Sequence, residues 1–521
     1  MDTIEKRIVK IGDFIEQKYK VFFVLILLLA IAVNTYKFGE VPSGIDCDEA
    51  GMTYDAYSIA NYGVDRFENQ FPVYFTNFGD GQSIMQGYLV ALLIKTFGTY
   101  NTFLIRIPSL VLSIIETVVA YLLVKLFKSR KQALLFMLLV TIAPWHIMKS
   151  RWALDCYLFS PMLLFSVYML AKAIKDNKLQ MLKFVLAGTM FGLTLYTYAI
   201  SYIAIPLFLV LILAYLIIKK SIKLKNVIAF SIPLIVFAIP LVLMLMVQKG
   251  WIGEIESFIT IPKLLRFREN ELDLSQVLVN VATIKYGLLC DKLNFNSLPG
   301  YGELYYFGTL LMCMGITITL IRSVGKKGKE QIELDVIMLL LFFANLIIGF
   351  LTDMCANKIN GIYISATYFE LVALRFIYKK YKVLFAIILI MFLASFIMFL
   401  KAYFIDFAKA DKPYWDNGAV ALMEYIQKYG EKEIYADNIL YIYSIYAKPI
   451  PPSEFNKSKE ISGSKVVGYK NYHAYLPSEE QEFSDEAIYI TDKKDKLEKL
   501  IDTKGFSIEQ YGNFYIAYKN Q

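Results

Sequence analysis

Histidine is almost missing from this sequence, with two in 521 residues, His146 and His473, far apart in the chain. Zinc-hydrolase and Ser-His-Asp chemistry need imidazoles gathered with their partners, so neither is indicated. Cysteine is equally sparse. Cys47, Cys156, Cys290, Cys313 and Cys355 are odd in number, widely spaced and partly inside apolar runs, which argues against a disulfide framework or a thiolate metal site. Charged residues make up only 19%, and arginine is scarce, nine against forty-five lysines. No tandem period of about 20–50 residues and no low-complexity run is found.

Apolar residues fill the place of what is absent. They reach 57%, with 15% aromatic, above the roughly 45–50% of soluble chains, so an integral membrane protein is expected. The net charge of +8 does not point to a nucleic-acid partner, because the lysines and arginines sit at the ends of apolar runs rather than in one patch. The basic start (Lys6, Arg7, Lys10, Lys18, Lys20) before "VFFVLILLLAIAVNTY" has no small-residue cleavage site after it, and reads as a retained signal-anchor.

A spanning helix needs about 20 apolar residues. Segments 21–37, 102–124, 132–148, 154–174, 182–199, 200–218, 227–247, 303–321, 334–352, 359–378 and 383–404 qualify, giving eleven predicted spans. A twelfth stretch, 83–98, decides the topology. If it does not cross, the clusters Lys125/Lys128/Arg130/Lys131, Lys172/Lys175/Lys178/Lys183, Lys219/Lys220/Lys223/Lys225, Arg322/Lys326/Lys327/Lys329 and Lys379/Lys380/Lys382 all share one side, as the positive-inside rule requires. It is therefore read as an interfacial helix burying Ile84, Met85, Tyr88, Leu89 and Leu92. The expected architecture is mainly α, with residues 1–404 in the membrane, the N-terminus cytoplasmic, and an outer loop at 38–101 and another at 248–302. Residues 405–521 form a small extracytoplasmic α/β domain, helix-like at "NGAVALMEYIQKYG" and strand-like at "EIYADNILYIYSIYA", "KVVGYKNYHAYL", "EAIYITD" and "NFYIAYK".

Chemistry concentrates in the first outer loop, "GIDCDEAGMTYDAYSIANYG". Asp46 or Asp48 can cap the helix that follows, with Glu49 complementing its dipole. A capped carboxylate is also an oriented one, so capping and catalysis both stay open. Asp80, in "TNFGDGQS", sits at a turn. Tyr54, Asp55 and Asp155 are candidates for substrate contact, the tyrosine by stacking on a sugar face. In "PWHIMKSRWALDCY", Arg151 and Lys149 stand at a predicted outer interface, where a guanidinium suits a phosphate, or pairs with Asp155, or anchors the span. Glu116 and Glu370, ionisable residues inside apolar spans, are what a transporter reading would use.

In order, "IDCDEAGMTYDAYSIANYGVDRFENQFPVYFTNFGDGQ", "FGTYNTFLIRIPSLVLS" and "APWHIMKSRWALD" resemble the first outer loop and first spans of bacterial membrane glycosyltransferases of the protein O-mannosyltransferase and aminoarabinose transferase type, glycosyltransferase family 39-like enzymes of GT-C fold. The resemblance covers 1–220 and extends loosely through "ANKINGIYIS". It implies inverting transfer of a hexose or pentose from a polyprenyl-phosphate carrier to an extracytoplasmic acceptor, whether protein, glycan or lipid. Asp48 would be the acceptor-side base, with Glu49 beside it and Asp80 as a further acid, although "GDGQS" lacks the basic residue or proline pair that relatives carry there. Arg151, Lys149 and Lys358 would meet the carrier phosphate. No cofactor is required, and Mg²⁺ or Mn²⁺ on Asp48 and Glu49 remains open. Arginine-poor usage points to an AT-rich bacterial genome, hence an undecaprenyl carrier in a bacterial cell membrane. The competing expectations are a transporter or flippase, or a polymerase, of lipid-linked glycans.

Overall fold

The computed structural model describes residues 3–265, 274–291, 296–324, 333–352, 354–410, 415–416, 418–463, 465–477, 483–501 and 505–519. Lys326, Lys327 and Lys329 lie outside the described residues. In chain order the helices are α1 (Thr3–Gln17), α2 (Tyr19–Thr35), α3 (Cys47–Tyr62), α4 (Met85–Phe97), α5 (Thr102–Lys125), α6 (Arg130–Ile142), α7 (Pro144–Lys149), α8 (Phe159–Lys175), α9 (Gln180–Thr194), α10 (Ser201–Ile218), α11 (Leu224–Gln248), α12 (Val277–Ala282), α13 (Lys285–Leu288), α14 (Tyr306–Val324), α15 (Leu334–Leu351), α16 (Tyr363–Lys380) and α17 (Lys382–Lys401). Each of the eleven apolar segments contains a helix. By length and composition seven helices among the described residues can cross a membrane, or eight if the bent pair α1–α2 counts as one. The shortfall has local causes: α6 stops where Pro144 opens α7, α9 has 15 residues, and α16 carries Glu370 and Arg375.

The chain forms two compact units, residues 1–41, 106–242 and 268–407 in the first and 42–105, 243–267 and 408–521 in the second. Residues 42–105, most of the first outer loop, thus fall in the same unit as the tail. Inside the first unit α14 lies along α16, where Gly315 brings the backbone of Phe369 so close that a Cβ would stand 2.0 Å from its carbonyl oxygen. Small residues permit such approach where no water drives association. One end of this unit gathers basic residues: Arg130 lies 4.1 Å from the Tyr19 ring centroid, Lys128 3.1 Å from Asp335, and Lys382 3.7 Å from Glu5.

The second unit is built on a seven-stranded sheet of β5 (Ile434–Ala436), β6 (Glu460–Ser462), β7 (Lys465–Tyr469), β8 (Tyr472–His473), β9 (Ile488–Thr491), β10 (Ser507–Tyr511) and β11 (Phe514–Tyr518), in the order β10-β11-β9-β5-β8-β7-β6. β5 runs parallel to both neighbours, and the other pairs are antiparallel. Phe483, Ala487, Tyr489, Leu497, Phe506 and Ala517 form the core on one side. The expected strand at 433–447 holds only over Ile434–Ala436. "YIYSIYA" is a helix, Tyr441–Ala447, lying against α3 with Tyr441, Ile442 and Ile445 buried. Its apolar run has no alternation, so period alone could not separate a buried helix from a strand. β1 (Phe75–Asn77) and β2 (Asp80–Gln82) make a small hairpin, and β3 (Ile255–Glu256) with β4 (Thr260–Ile261) another.

Helix α4 has 13 residues, too few to span, and turns Gln86, Gly87, Val90, Ala91 and Ile94 into the protein while Leu92 is 63% exposed. Of the face assigned to it from sequence, Leu92 is therefore the residue turned clearly away from protein.

A buried ion pair holds α3 to the tail. Asp55 receives Arg66 Nε at 2.9 Å and its Nη2 at 2.7 Å, and the remaining guanidinium nitrogen donates to the Tyr441 hydroxyl at 3.2 Å. Next to it Asp65 accepts from the backbone N–H groups of Phe67 and Asn69. Burial first, and then the charge of Asp55, push the Asp65 carboxyl from 3.8 up to about 7. The native state then holds a proton that the unfolded chain has released, so stability should fall as pH rises from about 4 to about 7 and level off above. Asp65→Asn should flatten that interval in thermal unfolding scans across pH.

Candidate functional site

Helix α3 starts with a complete capping box. The Asp46 side chain accepts from the backbone N–H of Asp48 at 2.8 Å, and Glu49 reaches back to the Asp46 N–H at 3.2 Å. Asp46 rather than Asp48 is the cap, so the Asp48 side chain is left for other partners. Asn77 Nδ2 donates to Asp48 Oδ1 at 2.7 Å, and Gln82 Nε2 approaches the Asp48 carbonyl at 3.5 Å. Both partners come from the β1–β2 hairpin, whose two-residue turn has Phe78 and Gly79 at φ 49° and 87°. Positive φ at both turn positions is the geometry that follows strand twist, and Gly79 adopts it without a Cβ penalty.

Asp80 pairs directly with Asn77 across this hairpin. Opposed residues share a face, so Asp80 lies on the face that Asn77 uses to reach Asp48. Asp46 and Asp48 thus stand together at the head of α3 and Asp80 is one residue pair removed through Asn77, while Glu49 is fully buried in its capping role. Ligand atoms of Asp46, Cys47 and Asp48 come within 4.8 Å of one another. Burial, and then the two flanking aspartates, raise the Cys47 thiol well above its usual range. A hard cation takes oxygen ligands, which in this group are the Asp46 and Asp48 carboxylates.

Tyr54 and Asp55 are both buried and engaged within the protein. Tyr54 is 1% exposed and donates to the Ile450 carbonyl at 2.9 Å, and both Asp55 oxygens are engaged by Arg66. Asn77 and Gln82 were missed from sequence, since a short polar pair flanking Gly79 carries no signal until the hairpin register is known.

In the first unit Arg151 is held by backbone carbonyls. Its Nε donates to the Val41 carbonyl at 2.8 Å, Nη1 to Asn34 at 2.9 Å and Nη2 to Tyr36 at 2.6 Å. Phe404 lies under the guanidinium at 4.8 Å. The residue is fully buried, and desolvation lowers its pKa to about 10. It clamps the carbonyls freed at the end of α2, a structural use of the planar donor set that the phosphate reading assigned elsewhere.

Lys149 belongs to another cluster, and Lys358 lies in the segment between α15 and α16. Lys149 Nζ stands 4.0 Å from the Tyr363 ring centroid, 3.5 Å from Glu303 and 3.4 Å from the Ala356 carbonyl. Asn357, next to Lys358, accepts from the Tyr157 hydroxyl at 2.9 Å. Asp155 is 7% exposed and accepts the N–H of Cys156 at 2.8 Å. A small cavity joins Lys149 to Glu116, His146, Ser160 and Asn360, and Ser160 donates to Glu116 at 2.6 Å. No strong sequence signal linked Glu116 to Lys149, which lie on different helices.

Residues 81–246 match the family model described as dolichyl-phosphate-mannose-protein mannosyltransferase. Among solved structures, ArnT from Cupriavidus metallidurans bound to undecaprenyl phosphate superposes with a TM-score of 0.55 at 10% identity, covering 96% of this chain and 99% of that one. Its apo state gives 0.55 at 11%. The chain has the GT-C fold. The Archaeoglobus fulgidus oligosaccharyltransferase tethered to an acceptor peptide gives a TM-score of 0.50 at 12% identity, covering 88% of this chain and 61% of that one. No curated protein sequence matches the chain. Within this GT-C fold, the role of Arg151 is open to a direct check. Arg151→Lys keeps the charge and loses at least two carbonyl contacts, so it should lower stability by about 3 kcal/mol, read as a drop in melting temperature in detergent. An unchanged melting temperature would return the residue to ligand binding.

Proposed function

We propose that this chain is an inverting glycosyltransferase that moves a sugar from a polyprenyl-phosphate carrier to an acceptor on the outer face of a membrane. The observation that carries the reading is Asp48, half-buried at the head of α3 and held by Asn77 on a hairpin that also presents Asp80. Support comes from the mannosyltransferase family model and from ArnT, a protein of the same fold solved with undecaprenyl phosphate. The proposal includes eleven crossings, the basic end of the first unit in the cytoplasm and the tail sheet outside, in a bacterial cell membrane.

In this scheme Asp48 takes the proton of an acceptor hydroxyl as its oxygen bonds to the anomeric carbon. The bond from that carbon to the carrier phosphate oxygen breaks on the opposite face, and the phosphate leaves with the electron pair. A phosphate leaves as a weak base, so no second carboxylic acid is needed, unlike glycoside hydrolysis. The charge that develops on phosphate calls for cations, the part that the resemblance gives to Lys149 and Lys358. Asp46 and Asp48 would hold Mg²⁺ or Mn²⁺, which would supply charge neutralisation at that phosphate. A transporter or flippase reading draws on Glu116 and its cavity, and movement of labelled carrier across vesicles without a glycosylated product would favour it.

The test is transfer in membranes holding the full chain, with radiolabelled polyprenyl-phosphate sugars supplied one at a time. Asp48→Asn should lower the rate about 10²–10⁴-fold, and Asn77→Ala should lower it less. Near-normal transfer by Asp48→Asn removes the assignment. Excess chelator should reduce transfer if the aspartates hold a cation; full activity in its presence leaves the carboxylate acting alone.

A further inference from the structure

Helix α1 meets α2 at an angle of 86°. None of its residues is buried, and Ile4, Ile8, Ile11, Phe14 and Ile15 fall on one stripe at helical spacing, with Val9 apart from them. Ile4, Ile11 and Phe14 are 53%, 59% and 54% exposed. The acidic edge is turned toward the bundle of the first unit. Glu5 lies 3.7 Å from Lys382, Asp13 and Glu16 lie 3.8 and 3.5 Å from Lys131, and Gly12 faces Tyr378. Lys6, Arg7 and Lys10 fall on the opposite edge, and among the described residues no ion pair involves them.

A helix at right angles to an apolar span, with an exposed apolar stripe bordered by cations, has the form of a segment lying in a bilayer interface. We propose that α1 is an anionic-phospholipid binding element, in which Lys6, Arg7 and Lys10 engage headgroup phosphates while Ile4, Ile11 and Phe14 enter the acyl boundary. Lipid is favoured over a protein occupant by continuity. The first turns of α2 present Val21, Val24, Leu25 and Leu28 at 50–55% exposure, so the stripe of α1 runs on into a surface of spanning character. Lys18 and Lys20 add positive charge at the bend, where Arg130 stands over the Tyr19 ring. The proposal needs only that the first unit lies in a membrane, and it stands apart from the transfer reaction.

The full chain, delipidated in mild detergent, is titrated with phosphatidylglycerol or phosphatidylcholine and the bound lipids are counted by native mass spectrometry. A preference for phosphatidylglycerol is expected. It should fall roughly fivefold for each charge removed, and by more than about tenfold in the combined Lys6→Gln, Arg7→Gln, Lys10→Gln variant. The combined Lys219→Gln, Lys220→Gln, Lys223→Gln variant, which removes equal charge elsewhere, should keep most of it. A preference retained by the first variant, or lost equally in both, overturns the proposal. Independently, Phe14→Trp in nanodiscs should add emission that acyl-brominated lipid quenches. Unquenched added emission overturns it, and if a dimer mass accompanies that result the surface belongs to a second copy.

Discussion

Helix ends in a poorly hydrated setting must have their backbone groups answered by side chains, because water cannot be relied on to do so. Two such ends set the frame of this protein. At the end of α2, Arg151 donates to the carbonyls of Asn34, Tyr36 and Val41. At the start of α3, Asp46 and Glu49 close a capping box. Each uses a charged residue as a fixed piece of architecture. The arginine that suits a phosphate and the glutamate that suits a catalytic pair are both committed to backbone groups.

That commitment gives Asp48 its position. With Asp46 holding the cap, the Asp48 carboxylate is directed by the Asn77 amide, and the β1–β2 turn brings Asp80 to the same face. The hairpin is in turn tied to the later loop. Tyr74 donates to the Pro262 carbonyl, and the Thr260 N–H donates to the Gln70 carbonyl at 2.9 Å. The tail contributes through Arg66, which joins Asp55 of α3 to Tyr441, and through Tyr100, whose hydroxyl donates to the Tyr446 carbonyl at 2.6 Å. The acidic loop is therefore not a free excursion between helices. It is the centre of a unit assembled from three separated stretches of chain.

The first unit follows a different logic. Its helices meet through small residues and aromatic faces, and some of its buried ionisable groups meet around one small cavity. Lys149 lies between Glu303 and the Tyr363 ring, and Glu116 is met by Ser160 within the cavity that Lys149 also lines. A buried lysine with a carboxylate and an aromatic face at hand is held against desolvation by both.

Composition and charge spacing by themselves determined that the chain is a membrane protein, where its apolar helices lie, that 83–98 holds a helix, and that the acids after the first span head a helix. These properties are local: a run of apolar residues, a cap before a helical pattern, lysines at the ends of runs. Resemblance in the first 220 residues added the GT-C fold. What tertiary structure decided is which polar group meets which. Tyr54, Asp55, Glu49 and Arg151 carried the right chemistry for a ligand, yet each found a partner within the protein, in Ile450, Arg66, Asp46 and the end of α2. Asn77, with no motif to mark it, became the neighbour of Asp48. Sequence records the donors and acceptors that a segment has, whereas pairing depends on register and on contacts hundreds of residues apart, which no local pattern encodes.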